Sequence, residues 1–152
     1  ATLEHIRQDT IDLKALVSQA FGGAELVIPY PEGQAEFFIR WPDFPQRLFS
    51  QAELSDGTLQ FLALCGALLS YHAPRLVVLN EPEASLHPDL MPALASLIGS
   101  AAETTQIIVV THSTELTGHL EERLACPVRT VEKQNGETII AGLTALGTFR
   151  DE

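Results

Sequence analysis

Basic residues are scarce in this chain. Nine Lys and Arg stand against 20 Asp and Glu, a formal net charge of −11, and the nine form no cluster. A field of that sign makes the chain by itself a poor binder of nucleic acid. The two lysines, Lys14 and Lys133, do not follow a glycine, so the Gly-x-x-x-x-Gly-Lys-Ser/Thr phosphate loop is absent from this sequence. The two cysteines, Cys65 and Cys126, sit in apolar surroundings, with no Cys-x-x-Cys or His pair at ligand spacing. Reduced core thiols in a cytoplasmic compartment are expected, and zinc is not. Apolar runs are too short to span a bilayer and no secretory signal is visible. The one methionine is Met91 and the first residue is Ala1, so the chain is expected to be a fragment or a processed piece. Repeats and low-complexity segments are lacking as well.

What is present is a 152-residue chain with 45% apolar residues, enough for one domain with a core. Its most informative stretch runs Arg75-Leu-Val-Val-Leu-Asn-Glu-Pro-Glu-Ala-Ser-Leu-His-Pro88. Leu76 to Leu79 read as a strand buried on both faces, as in a parallel sheet. Asn80, Glu81 and Glu83 follow at its carboxyl end, where open α/β sheets bind ligands. An amide and two carboxylates there can hold a metal ion or activate a water. Two further stretches frame it. Leu54-Ser-Asp-Gly-Thr-Leu-Gln60 opens an apolar helix, and Gln106-Ile-Ile-Val-Val-Thr-His-Ser113 is a second buried strand ending in a histidine.

Around these the pattern predicts a helix over 3–20, closed by Gly22-Gly23 and with a break near Asp9-Thr10. A hairpin of 24–28 and 35–41 turns at Pro31–Gln34. Pro29, Pro42 and Pro45 keep its strands short, and 47–50 adds a third. Residues 58–71 form a helix apolar nearly all round, hence buried. Pro88 opens an amphipathic helix on Leu90, Leu94, Leu97 and Ile98. Residues 115–124 make a surface helix with Leu116, Leu120 and Leu124 inward. A closing hairpin, 127–132 with 138–141, turns on Asn135-Gly136, and the last ten residues form a frayed tail.

Signature loop, acidic strand end and histidine strand end, in that order over 51–121, resemble the C-terminal half of an ABC-type ATPase. The RecF/SMC/OLD-like group, with its Glu-Pro-Glu…Leu-His-Pro run, is the nearest flavour. The resemblance implies an α/β fold: a partial P-loop NTPase-like core of parallel strands flanked by helices, with antiparallel hairpins at the edges. It implies one domain: helix and hairpin over 1–50, the signature, Walker B, D-loop and H-loop core over 51–125, and a closing hairpin and tail over 126–152.

The resemblance also implies roles. Ser55 and Gly57, at the start of a helix whose free N–H groups suit an anion, would contact the γ-phosphate of ATP held by an opposite subunit; the plain alternative is a helix cap. Glu81 would be the catalytic carboxylate and His112 the γ-phosphate sensor, a role open to imidazole in either protonation state. Asn80 stands where Asp is commoner, so it would contact Mg²⁺ weakly, through water. Ser85 and His87, with Glu83, fall in the D-loop, which crosses the dimer interface; the equal alternative for His87 is a cap for the helix after it. His5, His72 and His119 receive no role.

Without a phosphate loop the chain alone is expected to bind ATP weakly or not at all. It would hydrolyse ATP only when completed by an N-terminal segment and a second subunit. Loss of strand partners would drive self-association or edge repair. The alternative is a nucleotide-free dimerisation module, favoured by Asn80. A metal-dependent hydrolase built on Glu81, Glu83 and His87 is a third reading. A DNA or defence-system partner of the parent protein fits the resemblance, and no membrane-coupling segment is evident.

Overall fold

The computed structural model describes residues 13–29, 36–70 and 73–143. The expected break near Asp9-Thr10, the turn at Pro31–Gln34, the helix end at Tyr71-His72 and nearly all of the tail lie outside those residues. Helix α1, Leu13–Ala20, buries Leu13, Leu16 and Val17, positions three and four apart that share a helix face. It stops before Gly22-Gly23, where the Gly23 N–H donates to the Ser18 carbonyl at 2.7 Å, the long bond of a Schellman closure.

A small antiparallel sheet follows, with β1 (Glu25–Val27), β2 (Phe38–Arg40) and β3 (Phe49–Ser50) in that spatial order. Strands of three, three and two residues match the interruption by prolines. Ile39 is fully buried in the middle strand. Phe21 ties this region to the core, edge-on to Trp41 and to Phe61 with centroids 5.9 and 5.5 Å apart.

Helix α2, Asp56–Leu68, buries Phe61, Leu62, Cys65 and Leu68, while Ala63 and Ala67 stay exposed. The helix is therefore open along a narrow alanine stripe rather than buried all round. Burial pushes the Cys65 thiol up to about 12, so it packs as a neutral side chain. Strand β4, Leu76–Asn80, pairs in parallel with β5, Gln106–Val110, in the register Leu76↔Gln106 to Asn80↔Val110. Between them runs α3, Met91–Ala102, with Pro92 in its first turn.

Helix α3 is buried on more than the one apolar face that the amphipathic reading implied. Its Met91, Ala93, Leu94, Ala95, Ser96, Leu97, Ile98, Gly99 and Ala101 are all buried, and it packs against α1, α2, β5 and α4. Small residues make that possible: a Cβ on Gly99 would lie 3.2 Å from both Arg123 Nε and Leu124 Cδ2. Helix α4, Thr114–Leu124, turns Leu116 and Leu120 inward as expected. The last hairpin pairs β6 (Val131–Gln134) with β7 (Glu137–Ile140). Asn135 and Gly136 both take positive φ in its turn, the backbone an Asn-Gly pair favours. Most of its residues are exposed, so it projects from the core rather than closing it.

A further expectation is overturned. Among the described residues, the β4–β5 pair is covered on one face only. Leu79 is buried, and Val77, Ile107 and Val109 pack against the core, but Leu76, Val78, Ile108 and Val110 are exposed, Val78 by 60%. The continuous apolar run concealed an alternation, because both faces carry the residues that a doubly covered sheet would need.

Candidate functional site

The parallel pairing brings the acidic and histidine segments side by side. Asn80 is the last residue of β4, level with Val110. The Glu81 N–H continues the ladder for one more bond, donating to the Val110 carbonyl at 2.7 Å. The chain then turns sharply. Glu81 has φ 47° and Ser85 φ 66°, left-handed conformations that cost a non-glycine residue ~1–2 kcal/mol each. Backbone bonds from Ala84 to Glu81 and from Leu86 to Glu83 close the turns. Strain of this kind gathers at functional sites.

His112 Nε2 lies 3.7 Å from Glu81 Oε1, with the imidazole 89% and the carboxylate 49% exposed. The gap exceeds a hydrogen bond, but one water can stand about 2.8 Å from both atoms. Exposed beside the pair is Asn80, an oxygen donor of the type a hard cation accepts. A carboxylate, an imidazole and an amide therefore share one rim of one sheet.

Ser55 sits at the start of α2, where its Oγ accepts from the Thr58 N–H at 3.2 Å. The cap foreseen as the plain alternative is thus formed. It leaves the first N–H groups of the helix pointing outward. Gly57 has a local reason to lack a side chain, since a Cβ there would lie 2.7 Å from the Ser85 carbonyl oxygen. Gln60 Nε2 donates to the Pro82 carbonyl at 3.5 Å. Through these two contacts helix α2 rests on the loop that carries Glu81.

His87 takes the capping role that was its alternative reading, and Glu83 takes a partner that the sequence did not reveal. His87 caps the short 3-10 helix Pro88–Leu90, its Nδ1 accepting from the Asp89 N–H at 3.3 Å. That Nδ1 is also 3.3 Å from the Asp89 carboxylate. Glu83 accepts from the Thr111 hydroxyl, which in turn accepts from the Ser113 N–H at 2.9 Å. Thr111 was missed because nothing local marks a threonine as a partner for a residue 28 positions away. Glu83 and His87 are thus turned to separate neighbours. Among the described residues no group of three or more His, Cys, Asp or Glu could hold a metal ion, which removes the geometric basis for the third reading.

A family profile described as "AAA domain, putative AbiEii toxin, Type IV TA system" matches residues 32–118, more than half of the sequence. The chain belongs to that family. A probable metal transport system ATP-binding protein of Chlamydia pneumoniae is 36% identical to this AAA-domain chain over 61 residues. The matched part is 40% of this chain and 24% of the relative, so the chain spans only about a quarter of that protein. A solved chain from work on ATP-driven dimerization and DNA-stimulated activation of SMC ATPases superposes with a TM-score of 0.68 at 15% identity, covering 96% of this chain and 88% of the other. The SMC head domain from Thermotoga maritima gives 0.62 at 21% identity, covering 89% and 47%. At such identities the solved structures show the fold. That fold is the P-loop NTPase-like α/β fold of SMC heads, in an ABC/SMC-like ATPase family whose members in general use ATP and Mg²⁺.

Proposed function

We propose that this AAA-domain chain is the signature, carboxylate and histidine half of an ABC/SMC-type ATPase, the C-terminal half. It hydrolyses ATP once a segment bearing a phosphate loop and a second subunit complete the site. The observation that carries the reading is the approach of Glu81 and His112 on adjacent parallel strand ends.

The reaction is attack of water on the γ-phosphorus, giving ADP and inorganic phosphate. Catalysis of this kind rests on positioning and charge stabilisation. Glu81 accepts a hydrogen bond from the attacking water and orients it. His112 donates from Nε2 to a γ-phosphate oxygen and stabilises the charge that develops there. Ser55 and Gly57 offer the outward N–H groups of α2 to the γ-phosphate of a nucleotide gripped mainly by the other subunit. Ser85 and His87 lie on the loop that links the two sites, resting on α2 at Gly57. Asn80 would hold Mg²⁺ through a water; the ion, when bound, neutralises charge on the phosphates. The neutral amide makes that hold weaker than an aspartate would.

The open face of the β4–β5 pair supports an incomplete site. Parallel sheets are ordinarily covered on both sides. Burying one Val, Leu or Ile is worth ~1.5–3 kcal/mol, so covering four half-exposed ones yields on the order of 3–6 kcal/mol. A phosphate-loop segment laid on this face would gain that energy, and without it the face favours self-association. Dimerisation driven by ATP belongs to an SMC relative, and a homodimer is proposed here on the same logic. With a net charge of −11, contact with DNA falls to other parts of the assembly; a defence-system partner of the parent protein fits the same reading. The compartment is proposed to be cytoplasmic; among the described residues no helix is long and apolar enough to cross a membrane.

A second reading, a nucleotide-free module that keeps the dimer surface, is favoured by Asn80 and by the lack of a phosphate loop in this sequence. A Mg-ATP titration separates the two, comparing this chain with a form joined to a phosphate-loop segment. The expected result is no measurable binding for the first and saturable binding for the second. Absence of binding in both would leave the module reading standing.

A further inference from the structure

We propose that Glu83 and Thr111 form a latch that fixes the carboxylate and histidine strand ends relative to each other, making Glu83 a positioning residue for Glu81 and His112. The latch itself rests on geometry; its effect on turnover rests on the ATPase reading above.

Past the Glu81-to-Val110 bond, the two segments separate. Residues 81–86 fold into a tight loop and 111–113 lead into α4, and among the described residues no further backbone hydrogen bond joins them. The side-chain link is Thr111 Oγ1 to Glu83 Oε1. A threonine hydroxyl has one proton to give and lone pairs to spare. Here it gives the proton to the carboxylate and accepts the Ser113 N–H at 2.9 Å. Ser113 Oγ then caps α4 by accepting from the Leu116 N–H at 3.1 Å. His112 lies between Thr111 and Ser113, so one carboxylate holds the residues on both sides of the imidazole.

The other half of Glu83 argues against a merely stabilising role. Its Oε2 is buried and, among the described residues, has no hydrogen-bond partner. A buried acceptor left unpaired is a cost that an apolar side chain of similar shape would avoid. What the carboxylate supplies in return is a defined spacing between two strand ends. The loop it sits on is also seated on α2, through Gln60 to Pro82 and through the close approach of Gly57 to Ser85. The latch thus places the histidine segment in register with the signature helix as well as with Glu81.

The test has two arms, with Glu83→Ala, Glu83→Gln, Thr111→Val and Thr111→Ser in each. In the 152-residue chain, amide hydrogen exchange and NMR shifts are read at Ser113. Thr111→Val should speed Ser113 exchange about tenfold. Glu83→Ala should move the 111–113 resonances together, and Thr111→Ser should stay near the wild type. In the ATPase completed by its phosphate-loop segment, Glu83→Ala and Thr111→Val should lower kcat about 10- to 100-fold, with KM for ATP within about twofold. Glu83→Gln, which keeps an acceptor oxygen, and Thr111→Ser should restore most of the loss. If Glu83→Ala does not fold, Thr111→Val, which exchanges the hydroxyl for a methyl group of similar size, carries the test.

Unchanged Ser113 exchange in Thr111→Val overturns the latch. Wild-type kcat in Thr111→Val and in Glu83→Ala, alongside an inactive Glu81→Gln, overturns its catalytic consequence while sparing the ATPase reading. Parallel loss of stability, KM and kcat with no rescue reduces the pair to a structural contact and also overturns the proposal. If Glu81→Gln itself turns over normally, the ATPase reading fails, and the latch is judged on the amide arm alone.

Discussion

The two faces of the β4–β5 pair carry the same kinds of side chain and meet opposite surroundings. Val77, Leu79, Ile107 and Val109 pack against the core, whereas Leu76, Val78, Ile108 and Val110, one step along in each strand, are exposed. Burial here is set by what lies opposite rather than by the residue. The covered face has α3 and its neighbours; the open face has four apolar side chains and no cover among the described residues. On the reading proposed above, the uncovered face is where another segment would lie, and because Asn80 and Glu81 stand at the end of the same strands, covering the face and completing the site would be one event.

The sharpest way to break this contrast is truncation on each face. Leu79→Ala should cost ~2–4 kcal/mol of unfolding free energy, while Val78→Ala in the isolated chain should stay within about 0.5 kcal/mol. Denaturant titration reads both, and equal costs would dissolve the distinction. Next comes the seat of the acidic loop. Gly57→Ala places a Cβ 2.7 Å from a backbone oxygen, and the repacking should cost ~1–3 kcal/mol. Its signature is a displaced Ser85 amide resonance together with a lower denaturation midpoint. Ser55→Ala should cost ~1 kcal/mol through loss of the α2 cap. If binding of ATP by the completed dimer falls much further than that, the serine touches nucleotide as well.

The smallest effect concerns a surface carboxylate remote from either face. Glu53 is held below the ordinary value of 4.5, first by the Ser50 N–H, then by the Ser50 hydroxyl and Arg47. A lowered carboxylate stabilises the fold above its unfolded value, and the gain is lost as pH falls through the folded value. Thermal melts between about pH 5 and about pH 3 should therefore drop slightly less for Glu53→Gln than for the wild type.

Much of the scaffold was legible in local signals. Asn135-Gly136 announced its hairpin, Ser55 its helix, and the prolines the short strands of the β1–β3 sheet. The Glu81–His112 approach followed from motif order, since two apolar strands joined by a helix pair in parallel. The rest depended on tertiary partners. Alternation in β4 and β5 was hidden because valine and isoleucine occupy both faces. The burial of α3 was hidden because Ala93, Ala95, Ser96 and Gly99 add little to an apolar stripe yet allow α4 to come close. His87 could be read as a cap or as an interface residue, and the structure shows the cap through its bond to the Asp89 N–H. The link from Glu83 to Thr111 joins residues whose neighbours in the chain give no hint of each other.

Multiple-turnover hydrolysis of Mg-ATP by the chain joined to a phosphate-loop segment, with and without Glu81→Gln, tests the central claim most directly. The wild type should release phosphate steadily. The variant should bind ATP comparably and turn over slower by about 10²–10⁴-fold, the usual worth of a positioned general base. Equal rates would show that the carboxylate at the end of β4 has no part in the chemistry.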